Sequence, residues 1–241
     1  MLTIEHLTKH YKGSTKGVTD LSLHIAPGDI YAFIGHNGAG KTTTLKCVAG
    51  IHGFDAGVIR INGIDISKEP LQSKRQFAYI PDNPDLYEYL TGIQYLSFLA
   101  DVFEVSAADR EQRIKTYADA FEITPSLGDL ISTYSHGMKQ KLAIISALVH
   151  QPRLLILDEP FVGLDPKAAV MLKGIMHDIC DQGGAIFFST HVLDVAQKLC
   201  NKVAIIKDGV LVVSGNMEQI VQPGQSLESI FMEVVDDAGA N

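Results

Sequence analysis

The sequence contains little cysteine and no excess of basic residues. Its three cysteines, Cys47, Cys180 and Cys200, lack the spacing of a zinc site. Their apolar neighbours predict buried, reduced thiols of the kind found in cytosolic proteins. The formal net charge of −8 argues against a nucleic-acid-binding protein, which needs a basic surface. We therefore expect a protein without disulfides and without a nucleic-acid partner.

The sequence also lacks a long hydrophobic run. The longest apolar helical candidate, Leu142 to Val149, is far shorter than the roughly 18 residues that a membrane-spanning helix needs. The first residues, Met1 to Leu7, alternate apolar and polar like a strand and contain no signal-peptide core. If this protein acts at a membrane, we therefore expect it to do so through a partner.

A glycine-rich stretch predicts a phosphate-binding loop. Its small residues let backbone N–H groups converge on an anion without Cβ clashes; they are Gly35, Gly38, Ala39 and Gly40. Lys41 adds a positive charge for the β- and γ-phosphates, and Thr42 adds a hydroxyl for Mg²⁺. The loop lies between a strand-like run, Ile30 to Ile34, and a predicted helix, Lys41 to Ala49. The positive N-terminus of that helix would then face the phosphates.

The order of strand and helix patterns predicts an α/β fold. We expect a P-loop NTPase core with a mostly parallel sheet, an N-terminal antiparallel β lobe and an inserted α-helical lobe. Residues 1–34 are predicted to be antiparallel strands, with a turn near Lys12-Gly13-Ser14. The chain is predicted to be a single domain, with the β lobe and core at about 1–83 and 151–216, the helical lobe at about 84–150, and a C-terminal helix and acidic tail at 217–241.

Two acids follow the apolar run Leu154 to Leu157. They are Asp158 and Glu159, at the end of a predicted buried strand, where ligands of parallel sheets collect. Asp158 is suited to hold Mg²⁺ through water, and Glu159 is suited to accept a proton from an attacking water. Together with the glycine loop, they predict hydrolysis of a nucleoside triphosphate.

Over nearly its whole length the chain resembles the ATPases of ATP-binding cassette (ABC) transporters. Tyr134 to Gln140, at the start of a predicted helix, is similar to the family signature. Gly163 to Pro166 is similar to the D-loop, and Ser189 to His191 is similar to the histidine switch. Tyr11 stands where the family has an adenine-stacking aromatic residue. The signature helix would supply a second helix-terminus site for an anion.

The resemblance implies ATP and Mg²⁺ as ligands and assigns roles to named residues. The implied catalytic residues are Lys41, Glu159 and His191, and the implied Mg²⁺ ligands are Thr42, Asp82 and Asp158. The implied nucleotide contacts are Tyr11, Gly35, His36, Asn37, Gly38, Ala39, Gly40, Lys41, Thr42, Thr43, Asp82, Ser135, Gly137 and Asp165.

The resemblance also implies two partners. One is a second ABC ATPase subunit, identical or paralogous, packed head to tail so that Ser135 of one subunit faces the glycine loop of the other. The other is a separate polytopic membrane subunit, which would dock around Asp82 to Thr91 and the helical lobe. ATP binding would close the dimer and hydrolysis would reopen it.

Two positions depart from the family pattern. Asp82 replaces the Q-loop glutamine, and a carboxylate there can still bind Mg²⁺ or its water. His136 and Met138 replace commoner signature residues; similar glycine-methionine-lysine signatures occur among bacterial exporter ATPases. One hypothesis is that protonated His136 adds positive charge near the partner's phosphate, and an exposed bystander is the alternative.

The predicted function is the ATP-hydrolysing subunit of an ABC transporter, with export as the predicted direction. Two alternatives remain open. A soluble ABC ATPase acting on DNA or ribosomes usually carries a coiled-coil insertion or a second cassette, and neither is present in this sequence. A degenerate regulatory cassette is the other alternative, which Asp82 and His136 leave open.

Overall fold

The computed structural model describes residues 1–13 and 16–236. Its strands are β1 (Leu2–His10), β2 (Gly17–Ile25), β3 (Ile30–Ile34), β4 (Ala56–Ile61), β5 (Ile64–Asp65), β6 (Phe77–Ile80), β7 (Leu154–Asp158), β8 (Ala185–Thr190), β9 (Lys202–Lys207) and β10 (Val210–Asn216). Its α-helices are α1 (Lys41–Val48), α2 (Pro70–Lys74), α3 (Gly92–Val102), α4 (Ala107–Ala120), α5 (His136–Leu148), α6 (Pro166–Asp181), α7 (Leu193–Leu199), α8 (Met217–Ile220) and α9 (Leu227–Asp236).

A six-stranded sheet forms the centre of the molecule, in the order β10-β9-β3-β8-β7-β6. Its inner pairs are parallel, and β10 pairs antiparallel with β9. Every residue of β3, β7 and β8 is buried, as expected for strands that are covered on both faces. Because parallel strands end at the same edge, the residues that follow β3, β7 and β8 meet there.

A second sheet, with the order β2-β1-β4-β5, is antiparallel. The Asn62-Gly63 pair, a combination that favours tight hairpin turns, connects β4 to β5. The prediction that all strands in residues 1–34 are antiparallel is wrong for β3, which pairs parallel with β8 and β9. The reason is the continuously apolar sequence of β3, which suits the middle of a covered sheet rather than a half-exposed lobe.

Helices α3, α4 and α5 lie between β6 and β7, as the inserted helical segment was predicted to do. Leu96, Ile114 and Leu142 point their apolar side chains into one core with the central sheet. The α/β class and its three parts are therefore as predicted, while the lobe boundaries at 83 and 150 stay a prediction. No helix within residues 1–13 and 16–236 is long and apolar enough to cross a membrane.

The three cysteines, all of them among the described residues, are buried and unpaired, as predicted. The predicted C-terminal helix corresponds to α9, whose Leu227 is buried. Ser14 of the predicted turn and residues 237–241 of the predicted tail lie outside the described residues.

Candidate functional site

The glycine loop connects β3 to α1 and takes a shape that side chains would obstruct. Gly38 and Gly40 have φ values of 85° and 111°, and Gly40 is the N-cap of α1. A Cβ on Gly35 would lie 2.5 Å from the carbonyl oxygen of Ile206. The loop is thus pressed against β9, and the N-terminus of α1 is aimed at the space beside it.

A turn between β9 and β10 supports this loop from behind. The Gly209 N–H donates to the Ala39 carbonyl at 2.9 Å, and the Gly209 carbonyl accepts from the Thr19 N–H at 2.8 Å. Asp208 Oδ1 lies 3.3 Å from His36 Nε2. The Asp208-Gly209 pair by itself indicates only a hairpin turn, because a local pattern does not show which distant loop a turn contacts.

A cavity of about 380 Å³ opens beside the glycine loop. It brings together residues from the loop, the first hairpin and the ends of β6 and β7. They are Tyr11, Lys16, Gly17, His36, Asn37, Gly38, Gly40, Lys41, Thr42, Thr43, Asp82, Asp158 and Glu159. Lys16 and Gly17 were not predicted; Gly17, at the start of β2, packs against the loop, since a Cβ on Gly40 would lie 3.1 Å from its carbonyl oxygen.

Lys41 is buried in the floor of the cavity. Its Nζ donates to the carbonyls of Gly35 at 2.6 Å and His36 at 3.3 Å, and lies 3.9 Å from Glu159 Oε1. Burial lowers the pKa of Lys41, while the charges of Glu159 and Asp158 oppose that shift. The carbonyls of Gly35 and His36 therefore hold the ammonium beside Glu159.

Glu159 is the most closely constrained acid of the cavity. Its backbone has a φ of 49°, a conformation that is uncommon outside glycine. Its N–H donates to Ser189 Oγ at 3.1 Å, and its Oε2 lies 2.9 Å from His191 Nδ1. Ser189 Oγ also donates to Asp158, which is buried. The ends of β7 and β8 thus hold both acids and His191 in one network.

Tyr11 and Asp82 both line the cavity. The Tyr11 hydroxyl is 3.3 Å from Thr43 Oγ1, and its ring makes an edge contact with His52. Asp82 is exposed and follows β6, which pairs in parallel with the strand that ends at Asp158. An aromatic ring suits a nucleotide base, and carboxylates suit a metal-bound phosphate.

Comparisons with known proteins agree on one family. Residues 18–162, more than half of the chain, match the family described as ABC transporter. EcsA of Bacillus subtilis (strain 168), an ABC-type transporter ATP-binding protein, is 32% identical over 99% of this chain and 98% of its own length.

The chain belongs to the ABC transporter family.

Two solved structures give the same fold. One is described as an ATP-binding subunit of an ABC transporter; it has a TM-score of 0.93 and 34% identity and covers 98% of this chain and 99% of its own. The other is the dimeric ATP-binding cassette MJ0796 bound to ADP and Pi; it has a TM-score of 0.81 and covers 90% of this chain and 99% of its own. At 20% identity, the second shows the fold alone.

The ABC family binds and hydrolyses ATP, and its signature and D-loop pack on each other in this chain. Ser135 caps α5 by accepting the Met138 N–H at 3.3 Å. A Cβ on Gly137 would lie 2.9 Å from the Gly163 carbonyl, and one on Gly163 would lie 2.6 Å from the His136 ring. His136 itself is exposed. The signature residues therefore form the exposed, capped N-terminus of α5.

Asp165 links the D-loop to the signature helix. It caps α6 by accepting the Ala168 N–H at 2.9 Å, and its other oxygen lies 2.6 Å from Lys141 Nζ. These two contacts, that of Lys141 first, lower the pKa of Asp165. Within the described part of the chain, Ser135, Gly137 and Asp165 do not line the cavity that Lys41 and Glu159 share.

The residues at the cavity fit Mg²⁺ held together with phosphates. Thr42 and Asp158 offer oxygen ligands, which Mg²⁺ prefers, and Asp82 offers a third. The residues described contain no cluster of three acids, histidines or cysteines able to hold a metal by themselves. Thr42, Asp158 and Asp82 would leave further coordination positions of Mg²⁺ for substrate phosphates and water.

Proposed function

We propose that this chain hydrolyses ATP with Mg²⁺ to drive transport, in the export direction, by a separate membrane subunit. The position of Glu159 carries the proposal, because its carboxylate lies 3.9 Å from Lys41 Nζ and 2.9 Å from His191 Nδ1. A phosphate-binding cation, an acid and an orienting histidine are the groups that hydrolysis requires. This complete set favours an active ATPase over a degenerate regulatory cassette.

In the proposed reaction a water oxygen attacks the γ-phosphorus, and the bond to the β–γ bridging oxygen breaks to give ADP and phosphate. Glu159 accepts the proton of the attacking water, and His191 holds that carboxylate in place. Lys41 exchanges the carbonyls of Gly35 and His36 for phosphate oxygens. When bound through Thr42, Asp158 and Asp82, Mg²⁺ would supply positive charge to the phosphates.

We further propose that two copies, or this chain and a paralogue, form each ATP site together. Ser135 lies outside the cavity of its own chain, yet it opens a capped helix N-terminus of the kind that binds anions. A head-to-tail partner would place this terminus on the γ-phosphate. The dimeric cassette MJ0796, which shares the fold, was solved with ADP and Pi.

An exposed aromatic surface supports docking of the membrane subunit at the cytoplasmic face. The rings of Tyr89, Tyr95 and Phe98 lie 5.8–5.9 Å from that of Tyr87, and Tyr89 is 75% exposed. Glu88 of this segment forms an ion pair with Lys139 of α5. A partner seated on the aromatic rings would therefore press on the signature helix. The export direction rests on the overall resemblance of the chain to exporter ATPases.

Glu159→Gln tests the proposed chemistry. The variant keeps the length of the side chain but removes the proton acceptor, so we expect ATP binding to remain and hydrolysis to fall about 10²- to 10⁴-fold, or about 3–5 kcal/mol of barrier. Phosphate release and ATP affinity are measured on the same protein. Glu122→Gln is the matched control, because Glu122 has a similar φ of 58° and lies outside the cavity. Full turnover by Glu159→Gln contradicts the proposal.

The partner is tested by isolating the chain from its native membranes. Recovery with a polytopic membrane protein supports the transport proposal. Recovery with nucleic acid or ribosomes instead favours a soluble ABC ATPase.

A further inference from the structure

Tyr79 carries a buried hydroxyl that makes no hydrogen bond within the part of the chain that the structure describes. Its ring packs against the core formed by the two sheets and α1. A buried hydroxyl without a partner destabilises the fold, because burial removes its hydrogen bonds to water. A hydrogen bond formed only in the nucleotide-bound state would explain why a hydroxyl lies there.

The sheet register places Tyr79 and Asp158 on the same face. Tyr79 pairs with Ile156 in the parallel β6–β7 pair, and Asp158 is two residues beyond Ile156. Side chains two residues apart on a strand point to the same side, as do those of in-register partners. Ser189, which pairs with Asp158 across β8, shares this face and already donates to Asp158 Oδ1.

The hydroxyl of Tyr79 is a permanent donor. Burial, and then the charges of Asp158 and Asp82, raise its pKa above the usual value. The phenol therefore stays protonated at any pH at which the protein is folded and active. It lies behind the cavity rather than in its lining, so it can act only through a residue such as Asp158.

We propose that Tyr79 is a positioning residue for the magnesium site, whose hydroxyl donates a hydrogen bond to Asp158 when ATP and Mg²⁺ are bound. Asp158 is then held by Ser189 on one side and by Tyr79 on the other. A carboxylate oriented by two donors loses less freedom on binding a cation, and removal of such an outer partner typically costs about 10- to 100-fold in metal affinity. This inference rests on the proposed function.

Tyr79→Phe and Tyr31→Phe form a matched pair for the test. Both tyrosines lie on the same face of the central sheet and pack into the same core. They differ in the hydrogen bonding of the hydroxyl: that of Tyr31 is 2.8 Å from Ser214 Oγ, whereas that of Tyr79 has no partner among the described residues. Tyr31 is also outside the lining of the ATP cavity.

The test measures ATP binding by calorimetry in the non-hydrolysing Glu159→Gln background, once with Mg²⁺ and once with EDTA. We expect Tyr79→Phe to leave the Kd in EDTA unchanged and to reduce the Mg²⁺-dependent gain in affinity about 10-fold. Tyr31→Phe leaves both values unchanged. Without nucleotide, Tyr31→Phe lowers the Tm by about 2–4 °C, because it loses a hydrogen bond, whereas Tyr79→Phe does not lower it.

Two results overturn the inference about Tyr79. One is an undiminished Mg²⁺-dependent gain in Tyr79→Phe; the other is a drop in the nucleotide-free Tm equal to that of Tyr31→Phe, which would show that the hydroxyl is already satisfied in the fold. Failure of the Glu159→Gln parent to bind ATP under either condition overturns the proposed function instead, and the inference falls with it.

Discussion

Glu159 combines a strained backbone with a fixed carboxylate. Its positive φ is maintained because the N–H is bound to Ser189 and the carboxylate to His191. Strain of this kind costs about 1–3 kcal/mol and persists only where surrounding contacts determine the conformation. Rigid placement of the Glu159 carboxylate fits its proposed role, because the proton acceptor must lie in a fixed position relative to the attacking water.

His150 is a second residue whose surroundings set its behaviour. Its ring stacks on Phe103 at 3.8 Å, its Nε2 lies 3.4 Å from the Phe77 carbonyl, and its Nδ1 is buried without a partner among the residues described. Burial lowers the pKa of His150 to about 4, partly opposed by the contact with Phe77. The imidazole is therefore neutral in the folded protein at neutral pH.

The lowered pKa predicts a loss of stability in mild acid. Between the ordinary pKa of 6.5 and the folded value of about 4, the unfolded chain binds more protons, so stability falls as the pH drops through this window. Above pH 6.5 the contribution is fully present. His150→Phe keeps a stacking ring but cannot bind this proton. We expect its free energy of unfolding to fall by about 2 kcal/mol less than that of the parent between pH 7 and pH 4.5.

Urea unfolding at the two pH values measures this difference. His177→Gln is the control, because it removes an exposed histidine of α6. A pH dependence in His150→Phe as steep as in the parent and in the control would assign the acid sensitivity to other groups.

At the scale of elements, the glycine loop depends on a turn that is distant in sequence. The turn between β9 and β10 touches both the loop and β2 through backbone hydrogen bonds of Gly209. A Cβ on Gly209 would lie 2.5 Å from the Gly17 carbonyl, and Gly17 itself lines the cavity. The close approach, and not only the positive φ, therefore requires glycine at this position.

Gly209→Ala and Gly63→Ala separate these two effects. Both glycines have a φ of 80° in a hairpin turn, but a Cβ on Gly63 would meet no described atom within 4 Å. The backbone strain is thus shared, and we expect Gly209→Ala to be the less stable of the two by about 1–3 kcal/mol because of overpacking. Denaturant unfolding measures the stability. An equal loss of stability in the two variants would show that β2 and the turn can move apart without a loss of free energy of unfolding.

The same comparison extends to function. Displacement of the Asp208-Gly209 turn removes support from Ala39 and His36, so Gly209→Ala is expected to weaken ATP binding. Gly63→Ala, in the second sheet and outside the cavity, is expected to bind ATP like the parent.

At the scale of the whole molecule, Ser135 lies outside the cavity that Lys41 and Glu159 share. If a second copy completes the ATP site, a subunit with a damaged loop and a subunit with a damaged signature can together form one intact site. Lys41→Ala damages the loop. Ser135→Asp keeps a helix-capping residue but adds a negative charge that repels the γ-phosphate.

A mixture of these two variants tests the composite site. Each variant alone is expected to be inactive, whereas a mixed dimer has one intact loop facing one intact signature. We therefore expect ATPase activity to reappear when the purified proteins are mixed. Phosphate release by the mixture is compared with that of each variant alone. If the mixture is as inactive as its components, the loop and signature do not meet between subunits of this chain.

The sequence predicted most of the architecture because the signals are local. Apolar runs indicated β3 and β7, and the glycine-rich stretch indicated the loop between β3 and α1. It failed for the pairing of β3, since pairing depends on which strands are brought alongside. It also missed Lys16 and Gly17, since a local pattern does not show that the start of β2 packs against the glycine loop.

The sequence by itself determined the glycine loop, the two acids after β7 and the family, because spacing along one strand or one turn defines them. Only the tertiary structure decided that Glu159 lies between Lys41 and His191, that Gly209 supports the loop, and that Tyr79 shares a face with Asp158. These relations join residues far apart in the chain, and they exist only once parallel strands have been set in register.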